Sequence, residues 1–188
     1  QMIVTDPPSM FYLTGRWISP GERMLALYIS ASGKHHLVVN RLFPQEELGI
    51  PVHYYDDTQD PVKLLAQLVE KQKPLGVDKT WPARFLLRLM ALGGGSSFVD
   101  ASLCVDQARS IKDEEEQQAM RRASLLADDA VRYGWSLLEE GLTEAALWHK
   151  LDQFYLDHGA QQSIGSDSMG PNTADPHHLA QPNYALQP

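Results

Sequence analysis

Of 188 residues, 43% are hydrophobic and 21% charged, enough apolar surface for a packed core and too much for wholesale disorder. The formal net charge of -8, from 16 Lys plus Arg against 24 Asp plus Glu, comes without any basic cluster and so argues against a nucleic-acid partner. No apolar run approaches the roughly 20 residues that cross a bilayer and no basic stretch with an apolar sequel opens the chain, so no membrane partner and a cytoplasmic location are expected.

Gln1 to Thr5 reads as a strand rather than a frayed tail, which suggests a start inside a domain. Met24 to Ser30 and His36 to Asn40 are short apolar runs separated by Ala31-Ser32-Gly33-Lys34, the pattern of a β-hairpin. Val52 to Tyr55 is a further strand. From Pro61 to Lys73, Leu64, Leu65, Leu68 and Val69 follow helical spacing, and Pro61 suits a first helical turn. Leu75 to Asp78 reads as a short buried strand, Pro82 to Leu92 as a helix, and Phe98 to Asp100 as a strand. Such alternation predicts an α/β domain whose hairpin makes the sheet mixed. Gly93-Gly94-Gly95 lacks the Lys-Ser or Lys-Thr of a phosphate loop and reads as a helix stop.

After Val105 the character changes. A charged run from Arg109 to Arg122 opens a long helical pattern, placing a domain boundary between 109 and 110. Ser110 is the expected N-cap, followed by Asp113 and the acids Glu114, Glu115 and Glu116, which suit the positive end of a helix. Ala119, Ala123, Leu126, Ala130 and Val131 trace an apolar stripe expected to reach Leu138 and end at Gly141. Thr143 caps a further helix with Leu147, Leu151, Phe154 and Tyr155 inward, and Gly159 stops it.

Candidate chemistry is sparse. The single cysteine, Cys104, lies in the apolar stretch Ser102-Leu103-Cys104-Val105 and reads as a small core residue. His35 and His36 are strand neighbours that point to opposite faces and cannot share one metal ion. His149 and His158 have no carboxylate at a spacing that would complete a ligand set. The segment Gly170-Pro171-Asn172-Thr173-Ala174-Asp175-Pro176-His177-His178 joins turn formers to two imidazoles, yet from composition alone it is a loop.

Four stretches in chain order resemble the peptidase family that includes Xaa-Pro dipeptidase, aminopeptidase P and creatinase. Val4-Thr5-Asp6-Pro7-Pro8-Ser9-Met10-Phe11-Tyr12-Leu13-Thr14-Gly15 is similar to the family's entry motif, a strand leading to a Tyr-Leu-Thr-Gly turn, with Ser9 where Asn is commoner. Arg109-Ser110-Ile111-Lys112, continuing through Met120, Arg121 and Ala123, resembles the start of the first catalytic-domain helix, and Gly141-Leu142-Thr143-Glu144 the start of the next. Gly170 to His178 resembles the Gly-x-Asn-x-Ala-x-Pro-His motif. The sequence departs from the family in lacking a helix before Gln1 and a recognisable Phe-x-x-Ile approach between Gly159 and Gly170.

The resemblance implies a creatinase-like α/β domain over 1–109 and the first helices of a pita-bread α+β catalytic domain, truncated, over 110–188. It implies a parent enzyme that cleaves the bond between an N-terminal residue and proline with two divalent cations, Mn or Co, held by two Asp, one His and two Glu that follow the Pro-His motif. Those ligands are absent before Pro188, so this chain alone is expected to be inactive and to hold no cofactor. His177 is the one implied catalytic residue, near the tetrahedral intermediate, with His178 second. A proline-containing peptide is the implied partner and a homodimer a further one. The alternatives are a binding or assembly module that keeps the fold, or a creatinase-like amidinohydrolase.

Overall fold

In the computed structural model of the chain, the described residues are 1–45 and 48–160. The chain divides into two units, Gln1–Ile111 and Lys112–Pro188.

The first unit is a six-stranded sheet with helices on both faces. Its strands are β1 (Met2–Val4), β2 (Ala26–Ile29), β3 (His36–Asn40), β4 (Val52–Tyr55), β5 (Leu75–Val77) and β6 (Phe98–Asp100), in the order β4-β3-β2-β1-β5-β6. β2 runs antiparallel to β1 and β3, in registers Ile3↔Tyr28 and Leu27↔Leu37. The pairs β3/β4, β1/β5 and β5/β6 are parallel. The mixed sheet and the hairpin are therefore as the sequence predicts. Because successive side chains on a strand point to opposite faces, each strand feeds two cores. Ile3, Ala26, Tyr28, Val38, Leu75 and Val77 enter one, with Val62, Leu65 and Ala66 of α2 (Pro61–Leu68) and Leu89 of α3 (Ala83–Ala91). Val4, Leu27, Leu37 and Val39 enter the other, with Met10 of α1 (Pro7–Thr14) and Val105 of α4 (Ser102–Ser110). Burial on both faces explains why these strands read as continuous apolar runs.

Several local expectations are corrected. The Tyr-Leu-Thr-Gly stretch is the end of a helix rather than a turn after a strand. Asp6 caps α1, Pro7 and Pro8 occupy its first positions where no N–H is needed, and Gly15 closes it at φ 68. α2 ends at Leu68 rather than Lys73, because Val69 is extended and Lys73 N–H turns back to the Glu70 carbonyl at 3.0 Å. Ser102–Ser110 is helical, so Ser110 ends α4 and the N-cap of the next helix is Asp113 instead. On that helix Val105 is buried while Cys104 is exposed, against the expectation of a core cysteine. The glycine run does stop a helix: a side chain at Gly94 would meet Leu89 Cδ1 at 2.5 Å.

The described part of the second unit is a helix pair, α5 (Glu114–Ser136) and α6 (Glu144–Asp157). The cap of α5 is Asp113, whose carboxylate accepts the Glu116 N–H at 2.8 Å while the Glu116 carboxylate accepts the Asp113 N–H at 2.9 Å. Thr143 caps α6 through the Ala146 N–H at 3.2 Å. Ala130, Leu151 and Tyr155 are buried between the helices, with Leu126, Leu147 and Phe154 packed beside them. Ala119, Ala123 and Val131 are exposed, and α5 stops short of Leu138, so the expected stripe holds only at Leu126 and Ala130.

Candidate functional site

β1, β5 and β6 are parallel neighbours, so the residues that follow them meet at one edge of the sheet. In open α/β sheets such carboxyl edges are where ligands settle. Asp78, just after β5, accepts the Thr5 N–H at 2.5 Å, the Thr5 hydroxyl at 2.5 Å and the Asp6 N–H at 2.8 Å. Asp6, just after β1 and buried, accepts the Ser9 N–H at 3.1 Å and the Ser9 hydroxyl at 2.7 Å. From α4, Arg109 Nη1 donates to Ser9 Oγ at 3.2 Å and stands 3.6 Å from Asp6 Oδ2 and 3.9 Å from Asp106 Oδ1. Asp106 also pairs with Lys79, and its carboxylate holds the Lys79 ammonium above the ordinary lysine range. Asp100, at the end of β6, accepts the Ser102 N–H at 2.9 Å together with the Ser102 hydroxyl, and these donors hold its carboxyl below the usual range.

The chemistry of this network is positional. Its carboxylates accept the N–H and O–H groups of the corner they form, and buried polar groups matched in this way fix a backbone rather than react. What they fix is α1. That helix and the turn after it hold Phe11, Tyr12, Leu13 and Trp17 at least two-fifths exposed, with the Phe11 and Trp17 rings edge to face at 6.2 Å.

Two motifs 100 residues apart in sequence thus converge, Asp6 and Ser9 from the first and Asp106 and Arg109 from the second. The histidines do not gather there. His149 and His158 are exposed on and just after α6, and His158 Nδ1 lies 2.7 Å from the Phe154 carbonyl of the preceding turn. His36 faces His53 of β4, a pairing the sequence reading missed because it crosses parallel strands. His177 and His178 lie outside the described residues. Among the described residues no group of three or more His, Cys, Asp or Glu could hold a metal ion, so those residues do not fit a dinuclear centre. Among them, too, no helix is long and apolar enough to cross a membrane.

A mixed sheet covered by helices on both faces matches the amino-terminal domain of the prolidase-like fold. Residues 1–111 match the Creatinase/Prolidase N-terminal domain, and the chain belongs to that family. An uncharacterised peptidase of Staphylococcus aureus (strain USA300) is 30% identical over 181 residues, covering 93% of this chain and 51% of the relative. The chain therefore spans about half the length of the curated relatives it matches. Among solved structures, a dipeptidase from Pyrococcus horikoshii OT3 superposes with a TM-score of 0.73 at 25% identity, over 84% of this chain and 45% of that one. Dipeptidase PepE from Mycobacterium ulcerans does so with a TM-score of 0.69 at 26% identity, over 86% and 45%. The prolidase from Pyrococcus horikoshii OT3, at 23% identity and a TM-score of 0.72 over 86% of this chain and 45% of that one, shares the fold.

Proposed function

We propose that this chain is part of a metal-dependent peptidase that hydrolyses the bond between an N-terminal residue and proline. The observation that carries the reading is the family match over residues 1–111, together with relatives that are peptidases and dipeptidases along most of this chain. In this reading 1–109 is the amino-terminal domain and 110–188 begins the pita-bread catalytic domain. Two divalent cations, Mn²⁺ or Co²⁺, belong to the complete enzyme. A cytoplasmic location and a homodimer complete the picture.

The bond before proline is a tertiary amide with no N–H. A peptidase for it must recognise the imide by shape and supply a proton to the departing ring nitrogen. His177, from the Pro-His segment, is assigned to proton movement at that step. The test is proline release from Xaa-Pro dipeptides by the complete protein loaded with Mn²⁺ or Co²⁺, beside Xaa-Ala dipeptides and creatine. Turnover of Xaa-Pro above the others is expected. His177→Ala should lower kcat by about 10² to 10⁴ without stripping metal, and His178→Ala should cost less. Residues 1–188 alone should show no turnover and no pair of tight Mn²⁺ sites. Creatine turnover, or a metal-loaded protein inert toward every peptide, would replace this reading with the amidinohydrolase or the binding module.

A further inference from the structure

We infer that His36 and His53 form a two-imidazole site for a single borderline divalent transition metal ion, Zn²⁺ or Ni²⁺, which clips the edge strand β4 to β3. It lies apart from the polar network and does not depend on the peptidase reading.

The sheet builds the pair. His53 is in register with Val38, and His36 lies two residues before Val38 on β3, so both imidazoles stand on the same face. His36 Nδ1 and His53 Nε2 are 3.1 Å apart. Two nitrogens each about 2.0 to 2.1 Å from one ion stand roughly 2.9 to 3.4 Å apart as the angle between them opens from octahedral to tetrahedral. The observed spacing falls inside that window. The rings are also bent toward one another, with centroids 5.0 Å apart and planes at 59°. A straight N–H···N bond with this nitrogen separation would set the rings end to end and hold the centroids further apart. The Tyr28 ring lies nearly parallel to that of His36, at 15° with centroids 6.2 Å apart.

The protonation state suits a ligand. Burial first, then His53, His35 and Lys34, holds the His36 imidazole below the ordinary histidine range, so it is neutral at pH 7 with a lone pair to give. Lys34 is exposed, and its flexible stem can carry the ammonium away from an arriving cation. Imidazole suits borderline ions such as Zn²⁺ and Ni²⁺, whereas Mg²⁺ and Ca²⁺ prefer oxygen. With two protein ligands, water fills the remaining positions.

The test is calorimetric titration of the complete 1–188 chain with Zn²⁺ alone at pH 7.5. The background carries His177→Gln and His178→Gln, which removes the other adjacent histidines. One equivalent is expected to bind at micromolar concentration, and His36→Gln or His53→Gln should each weaken it at least 10-fold, while His35→Gln and His149→Gln should not. Because a variant can perturb the sheet, imidazole resonances of the same background with His36 and His53 intact give an independent readout: those two should move together on adding one equivalent of Zn²⁺. Binding that survives both substitutions, movement of other histidines first, or no binding below millimolar Zn²⁺ would overturn the site and leave an N–H···N hydrogen bond only.

Discussion

Unit 1 encloses two cores, one on each face of its sheet, whereas the described part of unit 2 closes only a narrow seam between two helices. In Gln1–Ile111 the sheet divides its residues between two cores, and Ile3, Met10, Leu37, Leu65, Leu75 and Leu89 are wholly enclosed. In 112–160 a helix of 23 residues buries only Ala130 and Gly134, while Leu125, Val131 and Trp135 stand more than half exposed. Secondary structure and core are thus separable. A long helix can rest on its capping box, its first-turn acids and one narrow seam, but a sheet of three- to five-residue strands exists only because both faces are covered.

The largest expected effect tests that contrast directly. Leu65→Ala should destabilise unit 1 by about 2 to 5 kcal/mol, since the site is closed on all sides and a cavity would remain. Leu151→Ala, in the seam of α5 and α6, should cost no more than about 2 kcal/mol, because a groove between two helices can close over the loss. Amide exchange followed separately in β1–β3 and in α5–α6 would read each cost, and equal costs would break the comparison.

Next in size comes the carboxyl edge. Asp78→Ala removes the acceptor shared by the Thr5 N–H, the Thr5 hydroxyl and the Asp6 N–H. One hydrogen bond to a charged group contributes about 1.5 to 3 kcal/mol, and because this corner is only part-buried and the freed donors can turn to water, a total loss of about that size is expected in a urea melt. Exchange should rise most over residues 5–14, because Asp78 fixes the corner that launches α1. Unchanged protection there would show that the network is decoration.

The same corner shows how much was legible beforehand. Long-period features were: the hairpin, the buried β5, the α3 stop and the Thr143 cap all follow from local patterns. α1 is not evident because Tyr12-Leu13-Thr14-Gly15 reads as a turn after a strand, whereas Pro7 and Pro8 fit the first helical positions once Asp6 caps them. α4 was hidden because Ser102-Leu103-Cys104-Val105 is apolar in a row, and only Val105 of its apolar residues is buried. With α4 unseen, the next cap slid from Asp113 back to Ser110. Asp6, Asp78 and Arg109 all lay in stretches already singled out, but their meeting depends on the parallel pairing of β1 with β5, which no local spacing reports. The pairing of His36 with His53 was lost for the same reason.

The smallest expected effect concerns charge. In unit 1 the ion pairs Arg23–Asp57 and Arg88–Asp60 join elements 34 and 28 residues apart, whereas Arg132–Asp129 in unit 2 lies within one helix turn. Asp60 accepts the Val62 and Lys63 N–H groups at the start of α2 and pairs with Arg88 of α3 at 3.0 Å. Burial pushes its carboxyl up, but Arg88 and these N–H groups outweigh burial and hold it below the usual range. A carboxyl that binds its proton less readily when folded stabilises the fold above the unfolded pKa, about 4, and loses that contribution as pH falls through its lower folded value. Asp60→Asn keeps a capping side chain and deletes the charge. At pH 7 it should cost about 0.5 kcal/mol, since the pair is partly exposed and screened by solvent. As pH falls from 7 to 3 the gap between wild type and variant in urea midpoint should narrow, because the unfolded carboxyl takes up its proton before the folded one does. A gap that stays constant from pH 7 to pH 3 would mean that the helix cap, not the ion pair across α2 and α3, is what Asp60 supplies.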